Sequence, residues 1–235
     1  MRKEKNLKKK STIKRAAGFL LLIFTFAILI TMIPWKENRV IHTSRTVTSG
    51  EMKMVALTFD DGPNPDHTKD LLAGLKERGV KVTFFLLGAE CEKYPEIVKE
   101  IHEDGHLIGV HSYEHVNLSN LTDEAAIEQV DKTNEIIRKL TDTSCEYIRP
   151  PYGCWKCNLD YKTKMIEVLW DVDPLDWKTS NSDVIAKRVT DKVQENDIIL
   201  LHDASDSSVN AAFKIIDKLQ QEGYTFVTVE ELLLE

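Results

Sequence analysis

Val55-Ala56-Leu57-Thr58-Phe59-Asp60-Asp61-Gly62-Pro63 decides the reading of this chain, because an apolar run stops abruptly at two adjacent carboxylates and a turn. Short apolar runs bounded by turn residues suit strands buried on both faces. Six further runs repeat the pattern: Val82 to Leu87, Leu107 to Val110, Tyr147 to Ile148, Val168 to Val172, Ile198 to Leu201 and Thr225 to Val229. The intervening segments show i, i+3, i+4 apolar spacing, as in Leu71, Leu72 and Leu75 or Ile97, Val98 and Ile101. One long segment opens on Thr122, a good N-cap residue, and sets Ala126, Val130, Ile137 and Leu140 along one face. Gly79, Gly105 and Gly223 each follow a charged residue and suit the left-handed position that closes a helix. Strands alternating with helices predict an α/β fold around a largely parallel sheet.

The polar residues of interest all fall where these strands end. Asp60 and Asp61 follow the first strand, His111 the third, Arg149 the fourth, Asp173 the fifth and His202 the sixth. In a β/α barrel the C-terminal strand ends share one face, and active sites are built there. His111-Ser-Tyr-Glu-His115 places two imidazoles where both can reach one ion. Alone, that pair is equally two surface histidines, and Asp60-Asp61-Gly62-Pro63 is equally a polar turn. Together with a carboxylate from Asp60 or Asp61, the histidines make a three-ligand set with open positions, the pattern of a catalytic divalent metal. The second carboxylate is then left to act on the attacking water.

Length and charge bound the alternatives. The 235 residues, 42% hydrophobic and 29% charged, suffice for one substantial core and a tail. Residues 1–15 carry eight Lys/Arg against Glu4 alone, so the net charge of -7 conceals a body near -14. An acidic body excludes nucleic acid as the expected partner, since phosphate binding needs a basic face. Ala16 to Ile33 holds 18 residues without a charge, long enough for a helix to cross a bilayer. The preceding cations fix the orientation, which predicts a basic cytoplasmic tail (1–15) and a transmembrane signal anchor (16–35) with Trp35 at the interface. A polar linker (36–50) and an extracellular catalytic domain (51–235) follow. The competing expectation is secretion after signal cleavage, but a cleavable signal has a shorter apolar region and a small-x-small site, absent around Ile33-Pro34-Trp35. Four cysteines are too few for a disulfide framework; Cys154-Trp155-Lys156-Cys157 reads as a redox pair or half a zinc site but has no second CxxC, so a structural or free-thiol role is expected for these and for Cys91 and Cys145, with a disulfide in one of three pairings as the alternative in an exported domain. His102 and His106 are read as structural or solvated.

Five motifs, in order, resemble the polysaccharide deacetylases (the NodB-homology domain, carbohydrate esterase family 4): Thr58-Phe59-Asp60-Asp61-Gly62-Pro63, His111-Ser112-x-x-His115, Arg149-Pro150-Pro151-Tyr152-Gly153, Asp173-x-x-Asp176-Trp177 and Leu200-Leu201-His202-Asp203. The resemblance covers roughly Lys53 to Leu234. It implies a distorted (β/α) barrel of about seven parallel strands and hydrolysis of N-acetyl groups on cell-wall or chitin-like glycans. Residue by residue, it implies that Asp61, His111 and His115 bind the metal, with zinc the default and cobalt, nickel, manganese or iron as alternatives. Asp60 would be the base, held by Arg149. His202 would be the acid, with Asp173 stabilising its protonated form. Tyr152 would offer a backbone N–H to the oxyanion, and Trp177 and Leu200 would line the acetyl-methyl pocket. Val110 departs from the family, which often has Asn before the first metal histidine. Tyr152 resembles the N-acetylglucosamine-directed branch, whereas the N-acetylmuramic branch tends to carry Arg there. An O-acetyl polysaccharide (xylan-type) esterase and a non-catalytic glycan-binding domain are the competing readings. A glycoside hydrolase is disfavoured, because its two carboxyls must flank the bond about 5 to 9 Å apart.

Overall fold

The computed structural model describes residues 53–156 and 159–234. The expected basic tail, anchor and linker lie outside these residues; among the described residues no helix is long and apolar enough to cross a membrane.

Seven strands form one parallel sheet: β1 (Lys53–Asp60), β2 (Thr83–Leu86), β3 (Leu107–Val110), β4 (Tyr147–Ile148), β5 (Ile166–Glu167), β6 (Ile198–His202) and β7 (Tyr224–Val227). The order is β5-β4-β3-β2-β1-β6, and β7 pairs with the beginning of β1. The central strand β1 is buried from Met54 onward, which explains why its sequence does not alternate. Along one edge it pairs first with β7, Lys53 opposite Tyr224, and then with β6, up to Asp60 opposite His202. That last pairing sets the end of β1 beside the end of β6 by backbone register alone. Among the described residues a parallel bridge, Val172 to Ile199, joins the chain after β5 to β6, so the strands curve into a half-barrel of (β/α) type.

Helices cover the outside: α1 (Thr68–Arg78), α2 (Gly88–Lys93), α3 (Pro95–Glu103), α4 (Asp123–Thr141), α5 (Leu159–Thr163), α6 (Ser182–Thr190), α7 (Asp206–Gln221) and α8 (Val229–Leu233). Their apolar faces pack on the sheet in one core that includes Leu57, Phe59, Leu71, Leu75, Phe84, Ile97, Val130, Ile137, Ile199 and Ile215. Capping follows the sequence. Thr122 Oγ1 accepts from Ala125 N–H at 3.3 Å, and Gly79, Gly105 and Gly223 take left-handed φ of 65°, 77° and 85°.

The fifth strand differs from expectation. Ladder pairing stops at Glu167, so Val168 to Val172 does not form a strand apart from the Val172 bridge. The buried Arg149 guanidinium explains the interruption: Nε donates to Val168 O at 3.2 Å and Nη2 to Leu169 O at 3.0 Å, which diverts those carbonyls from a ladder.

Candidate active site

Strand ends and the turns after them supply every group of the site. β1 delivers Asp60, and the chain then turns through Asp61, whose φ is 76°. Gly62 is required there: a Cβ at this position would meet Asp203 Oδ2 at 2.6 Å. Asp203 itself is buried at the end of β6, takes a hydrogen bond from Thr68 Oγ1, and its pKa is pushed up to about 6 by burial. Thr68 Oγ1 accepts in turn from Asn64 N–H at 2.7 Å, so the loop bearing Asp61 is tied to β6.

Asp61 Oδ1 lies 3.4 Å from His111 Nε2 and 3.3 Å from His115 Nε2. Ligands about 2.1 Å from one tetrahedral centre stand roughly 3.4 Å apart, so these separations match two edges of such a site. Asp61 Oδ1 is buried yet has no hydrogen-bond partner, which an ion between the three donors resolves. The His111 Nδ1–H donates to Arg149 O at 2.6 Å, which leaves the Nε2 lone pair aimed at the site. That carbonyl orients the ring, and Val110, which precedes His111, is buried in the core. Burial raises the Asp61 carboxyl, but the imidazoles of His111, His115 and His202 around it outweigh that effect and hold the pKa below the usual value. The residues present therefore fit a divalent cation.

Asp60 stands beside this set with its two oxygens in different roles. Oδ1 accepts from Arg149 Nη1 at 2.8 Å, and Oδ2 lies 3.9 Å from His111 Nε2. Arg149 is fully buried, and its Nη1 also donates to Thr58 Oγ1 at 2.6 Å. Burial lowers the guanidinium pKa and Asp60 opposes that shift; an arginine remains charged regardless. The cation is flanked by the Phe85 ring, 4.3 Å from its centroid.

His202 faces the site from β6, but its carboxylate partner is not Asp173. His202 Nδ1 bonds Asp176 Oδ1 at 2.8 Å, while the His202 backbone N–H and Ser208 Oγ both donate to Asp176 Oδ2, at 2.9 and 2.7 Å. Asp173 Oδ1 instead accepts from Leu175 N–H at 2.7 Å and shapes its own turn. Leu175 adopts a left-handed φ of 54°, and the 3-10 turn that follows, Asp176–Lys178, directs Asp176 inward and leaves it buried. The expected role of Asp173 thus falls to Asp176. Burial lowers the His202 pKa, but the Asp176 hydrogen bond and charge, helped by Asp60 and Asp61, override it and raise the pKa to about 9.

A cleft of about 540 Å³ joins these groups. Asp60, Asp61, His111, His115 and His202 line it, with Leu200 nearly buried and Trp177 and Tyr152 exposed; Asp173 also reaches it. The Tyr152 ring stands edge-on to His115, centroids 4.8 Å apart. The two histidines read as structural or solvated, His102 and His106, fall outside the site. His106 is buried, its Nδ1 accepts from Val82 N–H at 3.2 Å, and burial pushes its pKa down to about 4, so it is a neutral structural group; His102 lies on α3. Cys91 and Cys145 are buried free thiols, and Cys154 is free as well. Sequence reasoning missed Thr58, Thr68, Asp176, Ser208 and Asp203. Of these, Thr58, Asp176 and Asp203 lie within the quoted motifs, which was the available signal.

Comparison with known proteins places this geometry. The polysaccharide deacetylase family profile matches residues 48–168. The chain is 41% identical over 180 residues to the peptidoglycan-N-acetylmuramic acid deacetylase PdaC of Bacillus subtilis, covering 77% of this chain and 38% of that protein. Against the solved PdaC structure the TM-score is 0.76, at 40% identity, covering 78% of this chain and 91% of that one. A peptidoglycan-N-acetylglucosamine deacetylase of Bacillus cereus is 40% identical over 185 residues, 76% of this chain and 67% of the relative. A CE4-family pseudoenzyme of Bacillus anthracis also shares the fold, with TM-score 0.74, 31% identity and coverage of 78% and 66%. With the family profile spanning more than half its length, this chain belongs to the polysaccharide deacetylase family.

Proposed function

We propose that the chain is a metal-dependent hydrolase that removes N-acetyl groups from N-acetylglucosamine residues of peptidoglycan, and that it works outside the cytosol on an anchor formed by residues 16–35. One juxtaposition carries the reading: a carboxylate held by Arg149 and an imidazole held by Asp176 face one cleft across the three metal donors. The chain spans only 38% of the length of PdaC, so the activities in the relatives' names support the substrate class and reach this chain as part of the proposal.

An amide is a poor electrophile with a poor leaving group, so its carbonyl must be polarised, water activated and the departing amine protonated. Asp61, His111 and His115 would hold a divalent cation, zinc before cobalt, nickel, manganese or iron, which would supply Lewis acidity to polarise the acetyl carbonyl and activate water. Asp60 takes the proton from that water through Oδ2, the oxygen Arg149 leaves free. His202, with Nδ1 committed to Asp176, donates a proton from Nε2 to the amine. Tyr152 offers its backbone N–H to the developing oxyanion. Leu200 and Trp177 bound the pocket for the acetyl methyl.

An O-acetyl esterase would use the same groups, but esters depend less on a leaving-group acid. The raised His202 pKa favours the amide reading, because it keeps an acid protonated at neutral pH. Mass spectrometry of defined acetylated oligosaccharides, incubated with the full chain with zinc or with chelator, tests the proposal. Zinc-dependent loss of acetyl groups from N-acetylglucosamine units is expected. Loss only from muramic acid units, or only of O-acetyl groups, would overturn the substrate.

A further inference from the structure

His111 and His115 are separated by three residues that must hold an unusual shape. Ser112 and His115 both sit at left-handed φ, 67° and 56°, although neither is glycine. Such residues persist only where surrounding contacts determine them. Two helices provide those contacts. From the start of α2, Gly88 N–H donates to Ser112 O at 3.1 Å and Ala89 N–H to Tyr113 O at 3.0 Å. From α4, the side-chain oxygen of Gln129 accepts from both Tyr113 N–H, at 3.0 Å, and Glu114 N–H, at 3.1 Å.

Gln129 is held in place itself. Its backbone carbonyl accepts from Thr133 Oγ1 at 2.9 Å, and α2 and α4 meet so closely that a Cβ on Gly88 would strike that same Thr133 oxygen at 2.5 Å. The two histidines are not equally secure without this support. The His111 side chain is 3% exposed and its ring is fixed by Arg149 O, whereas the His115 side chain is 32% exposed and follows the loop directly.

We propose that Gln129 is a positioning residue for the metal centre: by accepting both amide protons between the ligands, its side-chain oxygen fixes where His115 stands and so sets metal affinity. Gln129 touches neither the donors nor the cleft and acts only through the loop. The inference rests on the metal reading of the site but not on the glycan chemistry, so absence of acetate release would leave it intact.

The test compares the full chain, purified in detergent, with Gln129→Met and Gln129→Glu. Zinc affinity is measured by chelator competition, and amide hydrogen exchange is measured at Tyr113 and Glu114. Methionine has similar length but no strong acceptor, so zinc binding weakens by about 10- to 100-fold, as for other groups that orient a metal ligand. The two amides lose protection. A glutamate oxygen can accept both bonds, so Gln129→Glu keeps zinc affinity within about threefold of the unsubstituted chain. Gln129→Met binding zinc as tightly as the unsubstituted chain, or Gln129→Glu losing as much as Gln129→Met, would overturn the proposal. If Gln129→Met does not fold, exchange in the metal-free unsubstituted chain decides: protected Tyr113 and Glu114 amides support a preset loop, and freely exchanging ones refute it.

Discussion

Asp176 grips His202 at two points, with one carboxylate oxygen 2.8 Å from the ring nitrogen and the other 2.9 Å from the backbone N–H of the same residue. The chelate fixes the tautomer and orientation of the ring and keeps it charged. His202 therefore stays protonated until about pH 9, and activity limited by the acid falls as pH rises through that value. Asp176→Asn removes the charge while keeping the shape, so the alkaline limb of the kcat/KM profile moves to lower pH. Asp173→Asn, whose carboxylate bonds Leu175 N–H and not His202, leaves the limb in place.

The same pair has a stability signature. The folded pKa of His202 lies above its ordinary 6.5, so the stabilisation is complete below 6.5 and is lost as pH rises toward about 9. Urea midpoints measured across this window fall more steeply in the unsubstituted chain than in Asp176→Asn.

Asp203 shows linkage of the same sign in a more acidic window, between its ordinary 3.8 and about 6. Its pKa is raised to about 6 from the ordinary 3.8, so the folded state gains stability as pH drops through 6 and loses it above. Asp203→Asn removes that dependence. The stability of the variant relative to the unsubstituted chain is greater near pH 7.5 than near pH 5, as denaturant titrations at the two values will report.

Arg149 joins Asp60, Thr58 and two carbonyls of the segment after β5, with no exposed surface. Arg149→Met leaves the Asp60 charge buried without its partner, and the expected loss is about 3 to 5 kcal/mol of unfolding free energy. Lysine retains the charge but cannot reach all four acceptors, so Arg149→Lys is also destabilised, and both variants lose acetate release.

His202 further separates amide from ester chemistry. His202→Ala should reduce kcat/KM for an N-acetylated sugar more than for an O-acetylated one, since the amine leaving group depends on its proton. Equal losses on the two substrates would remove the basis for preferring the amide.

Residues that touch one another within a motif were legible in the sequence, and those that depend on tertiary approach were not. His111 and His115 were readable because metal chemistry restricts both residue type and spacing, whereas the choice of Asp61 over Asp60 came only with the family resemblance; the structure brings the three donor atoms within 4.8 Å of one another. The strand ends were readable because β1 and β6 are unbroken apolar runs that stop at polar residues. Asp173 and Asp176 share a motif, and only the left-handed turn at Leu175 decides which one points at His202. The fifth strand failed because the residue that claims its carbonyls, Arg149, arrives from β4. Gln129 lies on α4 with no local sign that its side chain closes a loop fifteen and sixteen residues away.

Zinc K-edge absorption on the full chain, with parallel binding titrations, bears most directly on the cation site. One zinc per chain is expected, with two imidazole nitrogens at about 2.0 to 2.1 Å and oxygen completing the shell. The imidazole signal should fall by half in His115→Ala, and affinity should collapse in Asp61→Asn. Zinc bound with the same imidazole count in His115→Ala, or with undiminished affinity in Asp61→Asn, would contradict a centre built from these three residues.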